Sequence, residues 1–501
     1  MNTKVLSSDA VTNSIAVTSL NDIYALSPLQ QEIFSRSNSA GFVDQCVRTI
    51  FEPVNLTLFR QSWNLLIERH PILRTVFRCA RKQPVQIVLN LADCTLAVHD
   101  LRGTPPNEQE QVIRRVIEEE AAFPFDLANG PLLRLVLFLR EELSCQLLLT
   151  YHRIILDRWS VRRLSQQFDV IYGALLKNES VLWEESRPFK DFILWLKRQD
   201  TAECLHYWQH SMEDFAAATP LYLDQAHGTG HGRRVAQNST FAAGLARDLS
   251  ELGKNRGISA NIILKSAWAV LLSRYSGETD VAAGITVPGR PPGLKRIESI
   301  AGPFVNVLPL RIRLGVGVTV SELLHAVHQQ TVNIGHYSYL SWADVQSAAN
   351  LPSREKLTST VFEVTTTEAS DGDLRFLRSL IPTDSDVLLA VEVSLGADPV
   401  VTVTYDEQVF ETSTVKSLLD TFLRIVEFIV ANPEARISEF KITSNRERER
   451  VLQFGRGAEV NRETMREWPE EQIARQAREH PEKIALRHGQ QTLNYAQLNQ
   501  D

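Results

Sequence analysis

The sequence predicts a mixed α/β (α+β) fold, and three observations carry the prediction. Residues 147–156 form an apolar run of Leu, Ile and Tyr that has the length of one buried strand and is too short for a stable isolated helix. Residues 400–406 alternate in the manner of a half-buried strand. Residues 257–275 instead place Ala, Leu and Trp at i, i+3 and i+4, the period of a buried helix, with Ser259 as its cap.

Composition narrows the function classes. A chain of 501 residues, 44% of them hydrophobic, can build two or three compact cores. A net charge of −7 argues against a nucleic-acid surface, which needs clustered excess Lys and Arg. The five cysteines, Cys46, Cys79, Cys94, Cys145 and Cys204, show no Cys-x-x-Cys pair and no His partner at metal-ligand spacing, so neither zinc nor a disulfide frame is expected. No signal-peptide core and no run of about 18 apolar residues occurs, and the expected compartment is the cytoplasm.

Taken in order, residues 1–21 read as a polar, flexible leader. Ser27-Pro28-Leu29-Gln30 has the form of a capping box with proline at the first helical position. Helical spacing follows over 58–68, strand-like sequence over 84–89, a charged helix over 108–122, a turn at Asn129-Gly130-Pro131 and a strand over 132–139. A helix is expected over 164–176, and 214–235 is loop-rich, with a Gly- and His-bearing segment at 228–234. The second half opens with a helical segment at 249–256 and continues through the helix over 257–275. It then predicts a strand from Asp280 ending in a Pro-Gly turn before Arg290, strands over 361–367 and 400–406, and a closing helix over 412–431. Residues 441–468 are charge-dense and nearly core-free, as an interdomain linker would be.

The apolar run at 147–156 leads directly into ionisable residues: His152-Arg153-Ile154-Ile155-Leu156-Asp157-Arg158-Trp159-Ser160. Unpaired charges in a buried strand cost several kcal/mol, so the strand is expected to end at a cavity. This frame resembles the signature of nonribosomal peptide synthetase condensation domains, His-His-x-x-x-Asp-Gly followed by Trp-Ser. Arg153 stands in place of the second histidine and Arg158 in place of the glycine. Further phrases in the same idiom are Arg69-His70-Pro71-Ile72-Leu73-Arg74-Thr75-Val76-Phe77, Phe123-Pro-Phe-Asp126, Pro188-Phe-Lys-Asp-Phe-Ile-Leu-Trp195 and Gly302-Pro-Phe-Val-Asn306. Residues 469–501 resemble the opening of an adenylation domain, whose ATP motifs lie beyond Asp501, so the chain reads as a fragment of a longer enzyme.

The resemblance implies two chloramphenicol-acetyltransferase-like lobes forming a V-shaped condensation-domain fold, residues 22–215 and 216–440, with the signature at mid-tunnel. It implies carrier-protein partners whose phosphopantetheine arms deliver donor and acceptor, a downstream adenylation neighbour, and no cofactor bound directly. His152, Arg153 and Asp157 are the motif positions, and Arg158, Trp159, Ser160, Gly302 and Asn306 are the tunnel positions. Asn306 is expected either to offer its amide to pantetheine or to satisfy buried backbone, and Arg69 or Arg74 is expected to brace Asp157. Guanidinium is a permanent donor and cannot accept a proton, so Arg153 cannot be a general base. On a strand, His152 and Arg153 leave on opposite faces. Arg158 is expected to leave for solvent or to fill part of the tunnel, and the two arginines give a positive excess unless another acid neutralises them. Three functions are expected in consequence: a platform that no longer forms bonds and recruits a carrier protein or tailoring enzyme; an active amide-forming domain in which Arg153 stabilises an oxyanion; or an inert buttress for the adenylation neighbour.

Overall fold

The structure, a computed structural model of the chain, describes residues 20–36, 42–80, 83–90, 94–141, 143–183, 185–215, 218–221, 233–349, 357–366, 374–377, 387–396, 399–443, 445–455 and 468–500. Nearly all of the expected leader, most of the Gly- and His-bearing segment and 456–467 of the expected linker lie outside the described residues. Contacts divide the chain into two units, Met1–Phe440 and Lys441–Asp501.

The first unit opens with β1 (Leu20–Ala25), α1 (Pro28–Ser35), β2 (Val43–Ile50), α2 (Leu56–Arg69), β3 (Thr75–Ala80), β4 (Gln83–Leu89), β5 (Leu96–Asp100) and α3 (Pro106–Ala122). There follow β6 (Leu133–Glu141), β7 (Ser144–His152), α4 (Arg158–Leu176), α5 (Phe189–Leu196) and α6 (Thr201–Ser211). The capping box is present, Ser27 and Gln30 exchanging both hydrogen bonds at the start of α1. β2, β7, β6 and β5 form the body of a five-stranded sheet, antiparallel except for the β5–β6 pair. The run expected as one strand over 147–156 stops at His152, and the chain turns through 153–155 before α4. α4 buries Val161, Leu164, Phe168 and Ile171 against α2, with Phe59 and Phe168 ring centroids 4.7 Å apart. Each such side chain contributes roughly 2 kcal/mol on burial, which anchors the helix at whose N-terminus the signature lies.

A second sheet follows from β8 (Arg234–Thr240), α7 (Leu245–Arg256), α8 (Ala260–Ser276), β9 (Asp280–Val287), β10 (Asn306–Arg313), α9 (Val320–His336), α10 (Trp342–Ala348), β11 (Thr360–Thr366), β12 (Arg375–Phe376), β13 (Leu389–Leu395), β14 (Val400–Asp406) and α11 (Thr412–Ala431). Its six strands run in the order β10-β9-β11-β13-β14-β8, with β11 parallel to both neighbours. α8 is buried nearly all round, as its even hydrophobicity requires, and Trp268 stacks on Phe362 of β11. The short β12 leaves this lobe and pairs with β2, extending the first sheet. The mixed α/β class agrees with the sequence expectation.

The second unit is small. It holds α12 (Asn445–Gly455), α13 (Pro469–Glu479), the antiparallel pair β15 (Ile484–His488) and β16 (Gln491–Asn494), and α14 (Tyr495–Leu498). The charge-dense stretch thus contains a helix, with Val451, Leu452 and Phe454 exposed on it.

Candidate functional site

The signature occupies the end of β7 and the first turn of α4, where the two sheets meet. His152 is the last strand residue, opposite Val43, and only 4% exposed. Its ring lies near Phe42 and edge-on to Phe125, and Nδ1 accepts the Ile154 N–H at 3.2 Å, which places the ring proton of the neutral form on Nε2. Burial, with Arg153 adding to it, pushes the imidazole down to about 4 against the pull of Asp44. The ring is therefore neutral at physiological pH and enclosed by aromatic side chains.

Arg153 turns to the other side, as strand alternation predicts. Its backbone N–H closes on Phe42 O at 2.9 Å, and its guanidinium grips Asp44 with two bonds, Nε to Oδ2 at 3.0 Å and Nη2 to Oδ1 at 2.8 Å. Asp44 pairs with Tyr151 in the ladder, so Arg153, two residues beyond Tyr151, shares its face. Such a bidentate fork is the strong form of the ion pair, and Asp44 is 2% exposed. Gln30 supports the turn from below, donating from Nε2 to Ile154 O at 3.1 Å.

Asp157 caps α4 by accepting the Ser160 N–H at 2.7 Å. Arg290 binds both its oxygens, at 2.8 and 3.3 Å, and the backbone N–H groups of Phe304 and Val305 donate to Oδ2. Asp157 is thus a structural anion held by the second lobe. Ser160 completes the joint: its hydroxyl donates to Gly302 O and accepts from Gly302 N–H and from Arg290. Close approach requires glycine at two places here. A Cβ at Gly302 would overlap the Phe189 ring, and one at Gly289, whose φ is +62°, would overlap the Phe304 carbonyl. Trp159 is half exposed beside the Arg290 guanidinium.

Arg158 does not leave for solvent. It is 6% exposed and points into the second lobe, with Nη1 3.2 Å from Glu392 Oε1 and 3.8 Å from Glu363 Oε1. Its guanidinium also lies 5.0 Å from the ring of Phe376 on β12. Burial alone would lower its pKa, but Glu363, Glu392 and Asp44 outweigh it and the charge is held firmly. Burial lifts the Glu363 carboxyl to about 7 against the pull of Arg158, and neighbouring Glu392 adds to the rise.

One expectation is corrected by these contacts, and one left open is narrowed. Asp157 is braced by Arg290, and neither Arg69 nor Arg74 reaches it: Arg74 donates to Leu89 O, and Arg69 lies over the Trp183 ring. Both precede β3, whereas Arg290 follows the Pro-Gly turn that the second lobe aims at α4. Asn306 spends its amide on the fold, donating to Ser338 O and Leu340 O and accepting the Val307 N–H. The positive excess, expected unless another acid neutralised it, is neutralised by Asp44, Glu363 and Glu392. Their signal was a carboxylate inside each of three apolar strands: Val43-Asp44, Phe362-Glu363-Val364 and Val391-Glu392-Val393. Among the described residues no cluster of His, Cys, Asp and Glu could hold a metal.

These features define a mixed α/β fold in which two mixed sheets meet at a buried His-x-x-x-x-Asp turn. The family model "Condensation domain" matches residues 20–452, and the chain belongs to that family. It is 29% identical to a linear gramicidin synthase protein of Brevibacillus parabrevis, over 95% of this chain and 10% of that protein. It is 27% identical to surfactin synthase subunit 3 of Bacillus subtilis (strain 168), over 96% of this chain and 38% of that protein. The chain thus spans only a minor part of these relatives. The starter condensation domain of rhizomide synthetase, solved as a mutant in complex with C8-CoA, superposes with a TM-score of 0.72 at 18% identity, covering 84% of this chain and 97% of that one. A four-domain nonribosomal peptide synthetase bound to AMP and glycine gives 0.71 at 17% identity over 96% of this chain and 38% of that one. At these identities the likeness concerns the fold.

Proposed function

We propose that this chain is a condensation-type domain of a nonribosomal peptide synthetase that has lost ordinary peptide-bond formation and serves as a platform, receiving a carrier protein with its phosphopantetheine arm or a tailoring enzyme in trans. One observation carries the reading: the residue in place of the second histidine is a guanidinium committed by two hydrogen bonds to Asp44. It can accept no proton, and two of its donors are already engaged by Asp44. His152 supplies no substitute, since its ring is buried and faces away from Arg153. Residues 469–501 we read as the start of an adenylation domain, a reading supported by relatives that align over 95% or more of the chain.

The test supplies carrier proteins loaded with a donor thioester and an aminoacyl acceptor and looks for the amide by intact-protein mass spectrometry. No amide is expected. Turnover by the unaltered domain that disappears on Arg153→Ala overturns the proposal. Deleting residues 1–455 from the parent synthetase separates a platform, whose loss stops product formation, from a mere buttress, whose loss does not.

A further inference from the structure

Glu363 and Glu392 stand directly opposite each other in the parallel β11–β13 ladder. Like charges at paired positions repel, and a strand pair would not keep both carboxyls ionised without a cation between them. That cation comes from the other lobe. Arg158 is the first residue of α4, and its Nη1 approaches both Oε1 atoms while Phe376, on the strand that crosses back to β2, covers the guanidinium.

We propose that Arg158 is an interlobe lock: one buried side chain that clamps the central strands of the second sheet and the crossing strand onto the N-terminus of α4, holding the two lobes in one arrangement. The other ties across this joint act elsewhere. Asp157 and Ser160 hold the segment containing Arg290 and Gly302, and farther off the Trp342 N–H donates to Glu32 and Arg187 donates to Lys295 O. Only Arg158, among the described residues, pairs the first lobe with the carboxylates of β11 and β13. Glycine at 158, the residue this motif ordinarily carries, would leave Glu392 without its paired cation and both glutamates without a donor from the first lobe, and hydration of the vacated joint would part the surfaces. The lock holds whether or not the domain forms amides, so its failure and the failure of the platform reading are separate results.

The experiment uses the full chain with Cys79→Ser and Cys94→Ser and spin labels on Glu118→Cys and Lys416→Cys, one on each lobe. Arg158→Gly is expected to lengthen and broaden the distance distribution and to speed amide exchange at 374–377 and along β11 by about tenfold or more, as loss of a buried partner requires. N-ethylguanidinium at millimolar concentration should restore both readings in Arg158→Gly, and tetramethylammonium should restore neither. If Arg158→Gly alone does not fold, Arg158→Gly/Glu363→Gln/Glu392→Gln removes the uncompensated charges and should fold with the broadened distribution. An unchanged distance distribution and unchanged exchange in whichever of these variants folds overturns the lock.

Discussion

Two buried regions of the same lobe architecture treat charge in opposite ways. At the joint between the lobes, Arg153, Arg158 and Arg290 are each met by carboxylate within 3.2 Å. In the core of the second lobe Lys265 is 3% exposed on α8, beside a void of about 10 Å³ lined by Trp268, Leu310 and Phe362, and no described residue pairs with its ammonium. Burial alone lowers that lysine to about 8. Charges at the joint are structural material whose removal exposes a partner, whereas Lys265 is a cost the helix carries.

The sharpest way to break this contrast is Arg158→Ala, which strands Glu392 and lets Glu363, already raised to about 7, keep its proton: the loss should be about 4 kcal/mol, read from urea midpoints at pH 7. Arg153→Ala strands Asp44 alone and should lose about 3 kcal/mol. An effect of either below about 1 kcal/mol would show that these pairs behave like surface bridges.

His152 sharpens the comparison through pH. The folded ring takes a proton only near 4, and the unfolded ring near its ordinary 6.5. The unfolded chain therefore binds more protons between these values, and stability falls as pH drops from about 6.5 to 4. His152→Gln should flatten that slope by up to roughly 3 kcal/mol at its acid end. His70, also near 4 behind its bond to Gln167, contributes to the same window, and Glu363, raised to about 7, opposes them between its unfolded value and 7.

Lys265→Met should act in the reverse direction, stabilising by about 2 kcal/mol at pH 7. The folded amine sheds its proton near 8 and the unfolded one near 10.5, so the parent gains stability as pH rises through that window and the advantage of methionine fades. The smallest effect is expected for Ser160→Ala, about 1 kcal/mol from the lost bonds to Gly302, measured in the same denaturation series.

Much of this was legible in the chain. Ser27 and Gln30 announced their capping box, alternation at 400–406 its strand, and the opposite faces of His152 and Arg153 followed from their being neighbours. The partners were harder to read. Arg290 and Glu392 lie 133 and 234 residues from the groups they bind, with Glu363 between them, and local periodicity carries no term for that distance. Arg74, in a familiar phrase, was the wrong partner for Asp157 because the short turn after α2 directs it toward Leu89. The carboxylates embedded in apolar strands were the available clue, since each demanded a buried cation that the signature had in surplus.

The paired glutamates on β11 and β13 constrain the routes by which such a site can change. Changing Arg158 first strands Glu392 and leaves Glu363 buried without its partner, and placing both acids before the arginine meets the same penalty. Stepwise substitution must therefore pass through an intermediate with one acid neutralised, a ratchet that makes reversal to glycine at 158 a matter of three coordinated residues.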